Sequence, residues 1–244
     1  RLPIGTVKDN FSAKLIQEIN ADNLLEASIS YMRDEATGFY GPGTAGYEPQ
    51  TREQYVPSLK YTNTSGDSNT TAVAYARIGK QWADTLNSSA AQLPGVPLYA
   101  GIVEKGYYED KSFGLNAQHS RALSKTQTLT FGADLVSGEI DNSFTYPVQT
   151  PGRLRTTKGE VTRYGFFIQD EIKLTSRWNA NVAARFDHWK LGGNATETTS
   201  PPNPATTPFK ETTDQGFTPK LATLYKLTDQ LNVRASAGKA FNIP

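Results

Sequence analysis

Residues 178–189 read Trp178-Asn179-Ala180-Asn181-Val182-Ala183-Ala184-Arg185-Phe186-Asp187-His188-Trp189. Taken two at a time, Trp178, Ala180, Val182, Ala184 and Phe186 form an apolar series, while Asn179, Asn181, Arg185 and Asp187 form a polar one. Alternation with period two marks a strand with one dry and one wet face; a helix would repeat near 3.6. The pattern recurs along the chain. Val7, Phe11, Ala13 and Leu15 alternate with Lys8, Asn10, Ser12 and Lys14, and Leu25, Ala27, Ile29 and Tyr31 with Glu26, Ser28, Ser30 and Met32. Leu129, Phe131, Ala133 and Leu135 do the same against Thr128, Thr130, Gly132 and Asp134. About ten such segments fit between Val7 and Leu231, with the one around Val73 and Tyr75 open to either phase.

Composition narrows the class. The 244 residues carry 25 Lys+Arg against 24 Asp+Glu, a balance that makes no basic field for nucleic acid. With no Cys there is no disulfide framework, thiolate metal site or cysteine nucleophile. No apolar run approaches the ~18 residues of a membrane helix. The chain opens on Arg1 and closes on Pro244, and it is expected to be a piece of something longer.

The connections alternate in length. Short polar turns are expected at Asn20–Asn23, Leu123–Lys125, Thr175–Arg177 and Thr228–Gln230. Long Gly/Pro/Thr-rich stretches lie between them, at Asp34–Arg52, Ala83–Tyr107, Gly138–Glu160 and Leu191–Gln215. Long loops gathered at one end and tight turns at the other are the signature of an antiparallel transmembrane β-barrel. Trp178 and Tyr225 fall on the apolar phase beside short turns, and Phe217, Phe186 and Tyr164 on the apolar phase towards the long loops, as aromatics at two membrane interfaces would. A soluble β-sandwich with aromatics in its core is the alternative on pattern alone.

Four segments of the last third resemble one family. Tyr164-Gly165-Phe166-Phe167-Ile168-Gln169-Asp170-Glu171-Ile172-Lys173-Leu174 is similar to the aromatic-then-Gln-Asp-Glu strand of TonB-dependent outer-membrane receptors. Val182-Ala183-Ala184-Arg185-Phe186-Asp187 resembles that family's Gly-x-Arg-aromatic-Asp strand, with Ala183 in place of the usual Gly. Phe217-Thr218-Pro219-Lys220-Leu221 with Leu224-Tyr225-Lys226-Leu227-Thr228 resembles its Pro-(Lys/Arg) strand. Ala237-Gly238-Lys239-Ala240-Phe241-Asn242-Ile243-Pro244 resembles its Gly-(Lys/Arg)-x-Phe segment, with Asn242 where Arg is common. The resemblance implies a barrel of about 22 strands occluded by an N-terminal plug. Residues 1–244 are then expected to be part of one barrel domain, all-β and antiparallel, with the plug and the C-terminal strands outside this chain. It also implies location in the bacterial outer membrane, contact with its lipid, and TonB-driven uptake of a scarce nutrient chelate: iron-siderophore-like, haem-like or cobalamin-like. TonB would be engaged through the plug. A passive porin is the alternative transporter.

No enzyme is expected. His119 and His188 fall on apolar phases, apart from each other, with no nucleophile or orienting partner beside them. Gly41-Pro42-Gly43-Thr44-Ala45-Gly46 matches a dinucleotide fingerprint in letters alone, because Pro42 and Pro49 deny it the following helix. No motif asks for a cofactor or a metal. The candidate substrate-binding residues are Trp189, Arg185 and Asp187 on the wet phase, with Trp189 expected at the loop end of its strand, and Tyr146, Arg153 and Arg155 in a long loop. Tyr40, Tyr107, Tyr108 and Phe144 are expected to join the latter group. Aromatic faces suit flat chelates and guanidinium suits anionic ones. Arg185 and Asp187 would equally brace the wall as an ion pair.

Overall fold

The computed structural model describes residues 5–39, 47–86, 102–146, 152–198 and 205–239. Ten strands follow one another: β1 (Gly5–Asn20), β2 (Asn23–Phe39), β3 (Tyr47–Ser65), β4 (Ser68–Leu86), β5 (Ile102–Ser124), β6 (Gln127–Thr145), β7 (Leu154–Lys173), β8 (Trp178–Thr198), β9 (Ala205–Lys226) and β10 (Asn232–Gly238). They form a single antiparallel sheet in sequence order, β1 to β10, and the described strands do not close it into a ring. Among the described residues there is one sheet and no second layer, which is not a sandwich.

The strands outrun the sequence pattern. Crossing a bilayer takes about 9–11 residues, yet β1 has 16 and β5 has 23. Most of the stretches expected as long loops are continuations of the ladder: β2 runs on to Phe39, β6 to Thr145 and β8 to Thr198. Beyond the membrane both faces are wet, so alternation disappears from the sequence while the backbone hydrogen bonds persist. A fifth tight turn, Ser65–Ser68, joins β3 to β4, with Gly66 at φ 54 supplying the positive φ that the first central residue of such a hairpin turn requires. Tyr40 and the Gly41–Gly46 motif lie outside the described residues, as does the end of the last family-like segment, 240–244.

Register fixes the faces. Val182 pairs with Leu221, Phe186 with Phe166 and Phe217, and Phe131 with Ile168, so the apolar phases of neighbouring strands lie side by side. On β4, Ala74 sits between Leu59 and Leu115, which puts Ala72, Ala74, Ala76 and Ile78 on the apolar face and Val73, Tyr75 and Arg77 on the other. Burial is inverted relative to a soluble protein. Phe166 and Leu221 are 56% and 54% exposed, whereas Trp189 and Asp187 are 3% and 8% exposed. The buried positions Gly79, Gly106, Gly114, Gly165, Asp187, Trp189 and Gly216 all belong to the polar-phase face, which is therefore the concave one. An extended, exposed apolar face on a sheet of this kind is a lipid-contacting surface.

That face has borders. At the short-turn end Trp178 meets Tyr225 edge-on at 6.5 Å and donates from Nε1 to the Thr223 hydroxyl at 2.6 Å, which pins an aromatic ring where one end is dry and the other wet. At the long-loop end charges take over, with Lys111 3.3 Å from Glu109 and Lys158 3.1 Å from Asp141. From Trp178 to Lys190, the first lysine on the same face of β8, is about 40 Å of strand. At a tilt of about 40° this spans roughly 30 Å of depth, the thickness of a bilayer core.

Candidate functional site

The concave face carries two clusters on β5–β8, separated by ten residue steps of β7 from Arg155 to Gly165, about 33 Å along the strand. The lower one is built around Arg185. Asp134 on β6, Gly165 on β7 and Asp187 on β8 are register partners in one row. The Arg185 Nε donates to both Asp187 oxygens at 2.9 and 2.8 Å, and its Nη2 donates to Asp187 Oδ1 and Asp134 Oδ1, each at 2.6 Å. Arg163 stands 3.6 Å from the other Asp134 oxygen. The row closes because position 165 has no side chain: a Cβ there would overlap the Arg185 guanidinium and the Asp187 carboxylate. These groups, with Tyr75 and Asn116, line a concavity of about 470 Å³. Tyr75 lies flat over Gly114 of the next strand, so the wall stays thin there too.

Trp189 shares this face, between Arg163 on β7 and Asp214 on β9. The sequence places it at the loop end of its strand; β8 continues past it to Thr198, so Trp189 lies within the strand, level with Lys190 at the upper border of the apolar face. Its indole is buried and its Nε1 has no hydrogen-bond partner among the described residues.

The upper cluster lies where the strands have left the membrane. Arg153 stacks over the Tyr146 ring, 4.7 Å from its centroid, and pairs with Glu197 of β8 at 2.5 Å. Tyr108 of β5 meets Phe144 of β6 edge-on at 5.4 Å. Arg155 stands exposed between Phe144 and Glu197 in the register. Burial pushes the Tyr108 phenol above its usual range, with Glu104 and Tyr146 adding to the effect, so it is a hydrogen-bond donor at neutral pH. Aromatic faces, two phenols and two guanidinium groups are thus neighbours on this part of the sheet. Tyr107 is not part of it: one residue from Tyr108, it points to the opposite face and packs on Trp82 at 5.6 Å.

Sequence reasoning therefore named six residues that the structure divides between two places. Arg185 and Asp187 are joined with Asp134 in the membrane-spanning part of the wall, Trp189 lies near them, and Tyr146, Arg153 and Arg155 form the upper group. It missed Arg163, Glu197 and the Arg77–Asp110 pair at 2.7 Å. All three follow once the concave phase is carried along β4–β8. Among the described residues no group of His, Asp and Glu is arranged to hold a metal ion.

Known proteins agree with this architecture. Residues 10–244 match the family model "TonB dependent receptor-like, beta-barrel". The metal-pseudopaline receptor CntO of Pseudomonas aeruginosa is 29% identical over 94 residues, covering 37% of this chain and 12% of that protein. Among solved structures, the ferric yersiniabactin uptake receptor FyuA from Yersinia pestis superposes with a TM-score of 0.72 at 13% identity, over 95% of this chain and 37% of its own. The copper transporter OprC superposes with a TM-score of 0.76 at 14% identity, over 96% of this chain and 37% of its own. The chain thus spans well under half the length of these relatives. It belongs to the TonB-dependent receptor β-barrel family, whose members are outer-membrane transport receptors and not enzymes.

Proposed function

We propose that this sheet is part of the barrel of an active-uptake receptor that carries a scarce metal chelate across the bacterial outer membrane, with TonB engaged through a plug outside these residues. The observation that carries the reading is the Tyr108–Phe144–Tyr146–Arg153 assembly on the concave face beyond the membrane. Aromatic faces and guanidinium groups gathered there suit a flat, anionic complex. The metal-pseudopaline, ferric yersiniabactin and copper specificities in the relatives' names support a metal complex over haem-like or cobalamin-like cargo.

Uptake of radiolabelled iron, copper and cobalt chelates by metal-starved cells expressing the full-length receptor tests this. Accumulation of one chelate is expected, abolished by collapsing the proton-motive force and by deleting TonB. Tyr146→Ala with Arg153→Ala should weaken capture about tenfold or more, the loss of one to two charge-assisted or stacking contacts. Uptake indifferent to the proton-motive force would mean a passive porin.

A further inference from the structure

Two register rows of the concave face run through the upper cluster. Asp34, Arg52, Gln81, Tyr108 and Asn142 follow one another from β2 to β6. In the next row outward Gly106, Phe144, Arg155 and Glu197 follow one another from β5 to β8. Arg52 and Arg155 are both exposed, and each lies beside a carboxylate that another cation already holds. Asp34, next to Arg52, is 3.5 Å from Lys8 of β1, and Glu197, next to Arg155, pairs with Arg153 at 2.5 Å. Neither Arg52 nor Arg155 has an ion-pair partner among the described residues, whereas Arg77 on the same face is met by Asp110. Glu104 of β5 lies further out and pairs with neither arginine.

We propose that Arg52 and Arg155 anchor the two ends of the cargo, which is a metal chelate carrying carboxylates at opposite ends. The inference rests on the uptake reading above and names the chemistry of what that site takes. The two arginines are four strands apart, about 19 Å at about 4.8 Å per strand. Side chains on a concave face converge, so the guanidinium heads stand closer than their backbones. Between them lie Gln81, Tyr108 and Asn142, two amides and a phenol, which hydrogen-bond an anion without repelling it. A guanidinium fork takes a carboxylate through two parallel N–H···O bonds. Two forks set apart favour negative charge in two places on the rim of a chelate. A hydroxamate chelate has no free carboxylate for either fork, and a catecholate chelate holds its charge on the metal-bound oxygens at its centre. Phe144 is the register neighbour of Arg155, so ring stacking falls at one end of the cargo and leaves the Arg52 end to charge.

The test is equilibrium binding to the purified full-length receptor, read by isothermal titration calorimetry. The probes are iron(III) held by citrate, by an aminopolycarboxylate with free carboxylates, by a trihydroxamate and by a tricatecholate. At least one carboxylate chelate is expected to bind about tenfold or more tightly than the hydroxamate and catecholate chelates. Arg52→Gln and Arg155→Gln should each weaken that binding about tenfold, one charge-assisted pair apiece. Arg52→Lys, which keeps the charge and loses the fork, should fall between wild type and Arg52→Gln. The proposal is overturned if a hydroxamate or catecholate chelate binds best, if none of the four binds, or if a folded, heat-modifiable Arg52→Gln receptor binds like wild type. Displacement of the carboxylate chelate by equimolar inorganic phosphate marks a general anion site and overturns it too. Binding needs neither TonB nor the proton-motive force. A carboxylate chelate that binds without being accumulated therefore sinks the uptake reading alone, and energy-dependent uptake of a hydroxamate chelate sinks this inference alone.

Discussion

Arg185 on β8 reaches Asp134 on β6, 51 residues earlier, with 2.6 Å between Nη2 and Oδ1, and it does so across Gly165 of the strand between them. The two carboxylates it holds are only 12% and 11% exposed, so the arginine neutralises a pair of acids that would otherwise repel each other in the wall. Losing one partner of a buried pair costs about 3–5 kcal/mol. Arg185 is 33% exposed, so about 2–3 kcal/mol is the expected loss in Arg185→Ala.

Gly165→Ala is expected to act through the same contact. The added methyl displaces the guanidinium and breaks the reach to Asp134, at about 1–2 kcal/mol. Equilibrium unfolding of the full-length receptor in lipid vesicles should therefore show Gly165→Ala/Arg185→Ala no less stable than Arg185→Ala alone. Additive losses would mean that the glycine serves something other than the bridge.

Lys111 gives a pH dependence. Its hydrogen bond to Glu109 holds the ammonium above the usual lysine range, and Glu139 at 3.9 Å adds to it. The folded state therefore binds this proton more tightly than the unfolded chain. The stabilisation is complete below the ordinary lysine value of about 10.4 and is lost as pH climbs through the folded value. Denaturation midpoints measured across the alkaline range should fall less steeply in Lys111→Met than in wild type. An identical slope would show that the pair contributes nothing.

Orientation follows from loop asymmetry. In intact cells, a cysteine placed at Thr198, at the long-loop end of β8, should react with a membrane-impermeant maleimide, and one placed at Ser176, in the β7–β8 turn, should not. The native chain has no competing cysteine. Labelling of Ser176→Cys alone would turn the barrel upside down.

How much of this was legible depended on where the water is. Trp178 to Phe186 could be read at once because one side of that segment meets lipid and the other does not. Val73 and Tyr75 could not be phased from sequence, since alanines fill the lipid side of β4 and supply little contrast. Phe39, Thr145 and Thr198 end strands that the pattern stops short of, because ladder hydrogen bonds need no hydrophobic alternation. Tyr107 and Tyr108 read alike as loop aromatics, yet membership of a strand sends them to opposite faces. The Arg185–Asp187 pair follows from a spacing of two. Its extension to Asp134 needed the register of β6 and β7, which no local pattern carries.

The face assignment of β8 carries the rest, and it can be broken by a single residue of slip. Val182 is 48% exposed on the apolar face, between Leu221 of β9 and Asp170 of β7. Asn181 stands on the concave face beside Glu171 and Ala222. Val182→Arg puts a charge near the bilayer midplane, at about 2–4 kcal/mol unpaired, and with Asp170 across from it the expected cost is about 2 kcal/mol. Asn181→Val exposes an apolar side chain to a wet groove and removes no hydrogen bond that the described residues make, so it should cost well under about 1 kcal/mol. Equilibrium unfolding of both variants in lipid decides the matter. Were Asn181→Val the more damaging, the side chains of β8 would all change faces. Arg185 and Asp187 would then point at lipid as an ion pair with no water to reach, and the Asp134 bridge would no longer lie on the concave face.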